Sequence, residues 1–284
     1  MTDSGGLQPA ERRQTTVPGV YTLGSNAAER ERLRRQADDL LPHALALLAK
    51  ADLPLGAAAI DLGCGPRGML ELLAERVGQT GRVVGVDIDP NHVAMARDMV
   101  ASRQLSNVEL VQGDARSTGL PAASFDLVSA RLVLVNIPDP GQVVAEMARL
   151  VRPGGWVVAE EGELCAVCYP PHPAWDRLTE IFQANWRADG ADFFLGRRLG
   201  ELLRDAGFDR IGVEARADVY PAGNSRRTIH PDLVRSMRPT IVGRGLADEA
   251  ELVELDRQVR EHLADPNTLV LPYIYFLAWG RGPD

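Results

Sequence analysis

Short apolar runs alternate with amphipathic segments along the middle of the chain, and this alternation constrains the fold more than any other feature. The strand-like runs occupy residues 57–62, 82–87, 108–112, 125–129 and 156–160. The segments with helical spacing between them include 69–77, 91–100 and 142–151. Repeated strand–helix–strand units build a parallel sheet with helices on both faces. With two further runs at 211–219 and 273–279, the sequence predicts an α/β fold with a doubly wound, mostly parallel, seven-stranded sheet.

The chain is predicted to have three parts. Residues 1–17 are polar without periodicity and are expected to form a flexible arm. Residues 18–56 contain a segment with helical spacing and form an N-terminal helical extension or cap outside the sheet. Residues 57–284 form the sheet domain, in which 162–195 and 221–267 interrupt the alternation. Inserted segments of this length often form lids, so we expect these two to determine ligand specificity.

Charge and composition exclude several classes of protein. The formal net charge of −8 argues against a large phosphate-binding surface, so no nucleic-acid partner is expected. No apolar run reaches the roughly 18 residues of a membrane span, and the first ten residues lack the pattern of a secretory signal. Three cysteines cannot form a disulfide framework. We expect a cytoplasmic protein with no membrane partner.

A glycine-rich loop lies between the first predicted strand and the next helix. Its Gly63, Gly65 and Gly68 allow a tight turn and close approach of a ligand, and the helix that follows offers free N–H groups to a carboxylate or phosphate. Asp87 ends the second strand, where a carboxylate can accept both hydroxyl hydrogens of a ribose. Together they predict a cofactor that contains a nucleoside.

Two cofactor classes fit this loop. The three glycines and Asp87 satisfy the dinucleotide fingerprint, so an NAD(P)-dependent oxidoreductase is one alternative. Against it, Asp61 precedes the glycines and residues 150–156 read Leu-Val-Arg-Pro-Gly-Gly-Trp. The sequence also has no Tyr-x-x-x-Lys pair, because its only lysine is Lys50.

The ordered set of motifs resembles the class I (Rossmann-like) S-adenosylmethionine-dependent methyltransferases. The motifs are Asp-x-Gly-x-Gly at 61–65, the acidic end of the second strand, Gly-Asp-Ala at 113–115, Ser-Phe-Asp-Leu-Val at 124–128 and Arg-Pro-Gly-Gly at 152–155. The resemblance covers about residues 57–219. Within this family, the sequence is similar to bacterial small-molecule and natural-product methyltransferases. It implies S-adenosyl-L-methionine as the methyl donor and S-adenosyl-L-homocysteine as its product. One departure is Arg67, which stands where the family most often has its third glycine, with Gly68 one position later.

The resemblance implies which residues hold the methionine and ribose parts of the cofactor. Gly63 and Gly65 would border the methionine part, and Asp61 would help to hold its amino group. Asp87 would bind the ribose hydroxyls. Arg131, just past the fourth strand, would approach the methionine part through its backbone.

A second group of positions is implied for the adenine. Ile88 would lie against the ring, Asp114 would accept from its amino group, and Ala115 would donate its backbone N–H. Tyr21, which precedes the N-terminal helix, would close over the cofactor, with a plain hydrophobic anchor as the alternative.

Methyl transfer requires a general base only when the acceptor must lose a proton. Glu161 and His172 follow the fifth strand and are our candidates for that role. Cys165, Cys168 and His172 form a Cys-x-x-Cys-x-x-x-His string, but no second ligand cluster accompanies it, so no metal site is expected.

The acceptor is expected to be a small molecule with an apolar part, because aromatic side chains are concentrated in the first predicted lid. They are Trp175, Phe182, Trp186, Phe193 and Phe194, and Tyr273 and Tyr275 recur with period two on the last strand. The arginines of the second lid either bind an anionic acceptor group or form a solvated helix face. They are Arg226, Arg227, Arg235 and Arg238.

The predicted function is transfer of a methyl group to an O, N or C atom of a small molecule, in natural-product biosynthesis. A C-methyltransferase acting on a quinone or lipid precursor is the nearest alternative. A cofactor-binding regulatory protein without catalysis is a more distant one. The helical extension could pack on a neighbouring copy, so a homo-oligomer is also expected.

Overall fold

The computed structural model describes residues 27–188 and 192–282, with side chains described from residue 32 onward. Its strands are β1 (Ala58–Leu62), β2 (Arg82–Asp87), β3 (Val108–Gln112), β4 (Phe125–Arg131), β5 (Val151–Tyr169), β6 (Asp209–Arg216) and β7 (Leu269–Arg281). They form one sheet in the order β3-β2-β1-β4-β5-β7-β6. The first five strands are mutually parallel, and β7 runs antiparallel to both β5 and β6. The predicted α/β fold with a mostly parallel seven-stranded sheet is confirmed.

Ten α-helices accompany the sheet in the described residues. They are α1 (Ala27–Asp39), α2 (Leu41–Leu48), α3 (Leu70–Val77), α4 (Pro90–Ser102), α5 (Pro140–Leu150), α6 (Pro173–Arg187), α7 (Leu199–Asp205), α8 (Ile229–Ser236), α9 (Arg238–Gly243) and α10 (Glu249–Ala264). The strand order reverses between β1 and β4, which is where ligands bind at the carboxyl ends of strands in open α/β sheets. None of these helices is long and apolar enough to span a membrane.

The sheet separates two apolar layers because successive strand residues point to opposite faces. Ala59 belongs to the layer that includes α2, α3 and α6, and Ile60 to the layer that includes α5 and α7. Leu127 and Val128 on β4 divide in the same way. The central strands are buried on both faces, which explains their continuous apolar runs.

The N-terminal helical segment differs from the single helix that its spacing suggests. It divides into α1 and α2 at Leu40, and Pro42 stands in the first turn of α2. Proline lacks an N–H group and fits a first turn better than a helix interior. The break allows α1 and α2 to contact different parts of the sheet domain.

The first predicted lid also differs in part. The fifth strand continues past Glu160 to Tyr169, because the long β7 pairs with it from Trp156↔Arg281 to Tyr169↔Leu269. A register shift between Leu164 and Val167 hides this pairing from a simple alternation pattern. The helical part of the region is α6, on which α8, α9 and α10 of the second region pack.

Candidate active site

The glycine-rich loop after β1 takes a conformation that requires glycine. Gly63, Gly65 and Gly68 have φ angles of +65°, +56° and +49°, a left-handed region that other residues rarely adopt. A Cβ at Gly68 would overlap the Asp61 carboxylate, whereas one at Gly65 would meet nothing within 4 Å. Arg67 is not among the positive-φ residues. The loop therefore accommodates Arg67 because the left-handed turn falls one position later.

Two carboxylates fix this loop to the ends of β1 and β2. Asp61 is 1% exposed and accepts hydrogen bonds from the Met69 backbone N–H at 2.8 Å and the Ser129 hydroxyl at 2.7 Å. Burial raises the pKa of Asp61, although these two hydrogen bonds act to lower it. Asp87 accepts from the Gly65 N–H at 2.8 Å. The two side chains predicted to hold a cofactor thus also hold the loop.

A cavity of about 140 Å³ opens at these carboxyl ends. Its lining includes Asp61, Gly63, Gly65, Asp87 and Arg131, so five of the positions implied by the resemblance meet at one place. We call this space the first cavity.

Helix α1 forms another wall of the first cavity, through Leu33, Gln36 and Ala37. Sequence reasoning missed these residues because the helical spacing of this segment indicates only that one side is covered. Arg67 donates to Asp38 at 2.6 Å and so connects the glycine-rich loop to α1. The resemblance gave no information here, since Arg67 departs from its pattern.

The three positions implied for adenine lie at the ends of β2 and β3 and do not line the first cavity. Ile88 is 36% exposed and Ala115 is 8% exposed. Asp114 accepts from the Arg116 guanidinium, with the closest contact at 2.6 Å, and this hydrogen bonding lowers the pKa of Asp114. Tyr21 lies outside the described residues.

A second cavity, of about 90 Å³, adjoins the first and shares Gln36, Leu132 and Asn136 with it. Four aromatic side chains line it: Trp186, Phe193, Tyr273 and Tyr275. Leu132 stands between the two cavities with a φ of +57°, which is costly for a branched residue. Nothing in the sequence pattern indicates this conformation.

The structure corrects the expectation for Glu161. Its carboxylate is fully buried and accepts from the backbone N–H groups of Val133 at 2.9 Å, Leu134 at 2.7 Å and Val135 at 3.4 Å. It therefore caps the short helical turn after β4 and lines neither cavity. Burial raises the pKa of Glu161 to about 8.

The structure corrects the expectation for His172 in the same way. This side chain caps α6, accepting from the Ala174 N–H at 3.2 Å, and its ring lies 4.7 Å from that of His262. It lines neither cavity. Of the neighbouring cysteines, burial raises the pKa of Cys168 to about 11, so this thiol is protonated at neutral pH. The described residues contain no group of three ligands that could hold a metal ion.

A charge network around the buried side chain of His43 was also missed. The His43 ring contacts Glu160 at 2.8 Å through Nδ1 and Asp218 at 2.7 Å through Nε2. Burial lowers the pKa of His43, but the two carboxylates together raise it above its ordinary value. Arg131 lies 3.3 Å from Glu160, and the His43 ring stands edge-on to Tyr275 with centroids 5.2 Å apart. The two carboxylate contacts of His43 span 117 and 175 residues of sequence, so they leave no local signal.

Comparison with known proteins identifies the family. The sequence profile described as a methyltransferase domain matches residues 60–159. A demethylmenaquinone methyltransferase from Geobacillus sp. is 34% identical over 173 residues, which is 56% of this chain and 74% of that protein. The chain belongs to the class I S-adenosylmethionine-dependent methyltransferases. A second demethylmenaquinone methyltransferase, from Oceanobacillus iheyensis, is 31% identical over 59% of this chain and 76% of its own length.

Solved structures agree on the fold of this methyltransferase. A Haemonchus contortus phosphoethanolamine N-methyltransferase, in complex with phosphomonomethylethanolamine and S-adenosylhomocysteine, superposes with a TM-score of 0.57 at 19% identity. The match covers 86% of this chain and 53% of that one, so this chain spans about half the length of the Haemonchus protein. Because the chain belongs to this methyltransferase family, S-adenosylmethionine is its cofactor, and the NAD(P)-dependent oxidoreductase alternative is wrong.

Proposed function

We propose that this methyltransferase acts on a small molecule with a flat, largely apolar ring, which binds in the second cavity. The observation that carries the proposal is the aromatic lining of that cavity, directly beside the first. Aromatic side chains form offset or edge-on contacts with flat rings, and ligand sites are mostly apolar with few polar groups. Because the two cavities share Gln36, Leu132 and Asn136, an acceptor in the second would face a cofactor in the first.

The first cavity is suited to hold S-adenosylmethionine. Open space beside Gly65 leaves room for a ligand near the backbone, and the carboxylates of Asp61 and Asp87 face this space. We assign the amino group of the cofactor to Asp61 and its ribose to Asp87. We assign Asp114 and Ala115, in the segment after β3, to hydrogen bonds with the adenine. Ile88 is assigned to a contact with the face of its ring, as the resemblance implies.

When bound, S-adenosylmethionine supplies a methyl group on a positively charged sulfur, which is already activated for transfer. The protein then needs mainly to align the acceptor and exclude water. Helix α1 serves the second purpose, because Gln36 lies on both cavities and Leu33 closes the first. No histidine or carboxylate lines the second cavity in the described part of the chain. We therefore assign no general base.

Two acceptor classes fit this reading. The relatives named as demethylmenaquinone methyltransferases favour a quinol ring, with methylation at carbon. Tailoring of a natural product that carries a phenol or enol ring is the other use of the same cavity. A quinol is the first acceptor to test because it is named for two relatives.

The test supplies purified protein with methyl-labelled S-adenosylmethionine and a set of acceptors. The set contains reduced 1,4-naphthoquinone with and without a prenyl chain, a catechol, a phenol and phosphoethanolamine. We expect labelled product from at least one ring acceptor and none from phosphoethanolamine, with the methylated atom assigned by mass spectrometry. Transfer to phosphoethanolamine alone would contradict the proposal.

A matched pair of variants shows that the transfer uses the first cavity. Asp87→Asn removes the carboxylate charge proposed to bind ribose, whereas Asp98→Asn makes the same change on an exposed position of α4. We expect the first to raise the KM for S-adenosylmethionine and the second to leave it unchanged. An equal effect of both variants would refute the role of Asp87.

A further inference from the structure

Three side chains that line the second cavity each hold a polar atom with no hydrogen-bond partner among the described residues. The atoms are Nε of Arg226, Nε1 of Trp186 and the hydroxyl of Tyr273. These side chains are 3%, 5% and 6% exposed, respectively. Arginine and indole N–H groups only donate, and a phenol hydroxyl can donate. Because buried polar groups are nearly always paired, these three donors call for an acceptor that the described side chains do not supply.

The neighbouring Arg227 shows what a satisfied buried arginine looks like in this protein. Its guanidinium donates to four backbone carbonyl groups, those of Tyr220, Leu263, Asp265 and Thr268. These bonds join the turn before α8 to the end of α10 and the start of β7. Arg227 therefore has a structural role and lines neither cavity.

Arg226 differs because it has no carboxylate partner in the described chain. Its guanidinium donates to the Tyr275 hydroxyl and lies over the Tyr275 ring, 5.5 Å from the centroid. An arginine cannot lose its proton in a protein, so this buried group stays a cation. A buried charge is normally paired, whereas no carboxylate of the described residues pairs with Arg226, and its side chain lines a cavity.

Among the described residues, the charged side chains on the wall of the second cavity are arginines. Arg32 from α1 joins Arg226 on the wall, and no aspartate or glutamate lines the second cavity in the described residues. The other titratable groups on its wall are the phenols of Tyr273 and Tyr275. The carboxylates of Glu160 and Asp218 contact the His43 ring, at 2.8 and 2.7 Å, and neither lines this cavity. In a chain whose net charge is −8, the described wall of this cavity thus carries the buried charge of Arg226 and no acidic side chain.

We propose that the second cavity binds ring acceptors through an ionised oxygen, a phenolate, enolate or carboxylate, paired with Arg226. Tyr273 and Trp186 supply further donors to the polar edge of the same ring. The inference rests on the proposed function for the identity of the cavity, but it concerns binding alone. It explains how an acceptor could be held as an anion where no base lines the wall, since a nearby cation favours the charged form of an acid.

The test compares two probes of equal shape and different charge, 2-naphthoate and 2-naphthamide. Their affinities for the full chain saturated with S-adenosylhomocysteine are measured by calorimetry at pH 7. We expect the wild type to bind the naphthoate about tenfold more tightly or better, a difference of about 1.4 kcal/mol. Equal affinities, tighter binding of the amide, or no binding of either probe at millimolar concentration would overturn the proposal.

Two variants assign the preference to Arg226. Arg226→Gln should abolish it, and Arg235→Gln, which changes an exposed arginine on α8 paired with Asp256, should keep it. Unchanged affinity for S-adenosylhomocysteine shows that each variant is folded. A preference that persists in folded Arg226→Gln overturns the assignment.

A measurement on the wild type keeps the proposal testable if Arg226→Gln does not fold. The absorbance of 4-nitrophenol reports its ionisation, so its pKa can be followed free and bound to the complex with S-adenosylhomocysteine. We expect the bound pKa to fall by about one unit, which corresponds to a tenfold preference for the phenolate. An unchanged or raised pKa overturns the proposal. These probes test binding alone, since they need not be methylated. If the protein binds anions selectively but transfers a methyl group to none of the ring acceptors, the proposed function is refuted and this inference stands.

Discussion

Replacing Glu161 with glutamine tests whether this carboxyl group is protonated in the folded protein. Burial raises its pKa to about 8, from an ordinary value of 4.5. Between these values the folded state keeps a proton that the unfolded chain has lost. The wild type should therefore lose free energy of unfolding as pH rises, by about 1.4 kcal/mol per pH unit. Glutamine does not titrate, so the variant should lack this contribution.

The magnitude follows from the pH window. Between pH 5 and pH 8 the free energy of unfolding of the wild type should fall by about 2–4 kcal/mol relative to that of the variant. Urea unfolding at pH 5, 6.5 and 8 measures it for the wild type, Glu161→Gln and the exposed control Glu109→Gln. A difference between wild type and Glu161→Gln that stays constant over this range would refute the reasoning. It would mean that the amides of residues 133–135 hold an ionised carboxylate in the fold.

Three further predictions concern the loop and the buried network. Gly68→Ala should weaken binding of S-adenosylhomocysteine by about tenfold or more in calorimetry, because its Cβ would overlap a neighbouring carboxylate. In urea unfolding, Gly65→Ala should cost only about 1–2 kcal/mol of backbone strain and Gly68→Ala more, because only the Cβ at Gly68 meets neighbouring atoms; equal losses of unfolding free energy in the two variants would contradict this. Arg67→Ala breaks a partly exposed ion pair with α1, so the free energy of unfolding should fall by less than about 1 kcal/mol. S-adenosylhomocysteine should dissociate faster from this variant in stopped flow. An unchanged dissociation rate would be evidence against α1 as a cover of the first cavity. His43→Gln should lower the free energy of unfolding in urea by about 3–5 kcal/mol below pH 6.5. This loss should shrink as pH rises through the raised pKa of His43. A loss that does not depend on pH would show that the His43 ring is neutral in the folded protein.

The parallel half of the fold and the first cavity were predictable from the sequence. The positions proposed to bind the cofactor lie at the carboxyl ends of strands, so Asp61 near the end of β1 and Asp87 at the end of β2 must meet at one edge of the sheet. The glycines signal the left-handed turn between them. Local patterns are sufficient here because the geometry of a strand–loop–helix unit is itself local.

The second cavity and the corrected positions depend on distant contacts. The expectation for Glu161 rested on its place just after a predicted strand, but the strand continues, paired with β7, and turns this side chain towards the amides after β4. His172 lies past the end of the same strand, away from the cavities. Arg226 and Arg227 are adjacent in sequence, and only the fold shows that one is saturated with carbonyl groups and the other is not.

This division within the chain indicates where specificity arises. Apart from the wall that α1 supplies, the first cavity is built by strand ends and the glycine-rich loop, which lie within the segment 60–159 that matches the methyltransferase family. The second cavity takes its walls from α1, α6, β7 and the segment around Arg226. These elements come from both ends of the sequence and close over the same side of the sheet. If the second cavity holds the acceptor as proposed, substitution in these walls changes the acceptor while the carboxylates and glycines proposed to hold the methyl donor stay the same. The charge of the second cavity is then a better guide to the acceptor than the donor site is.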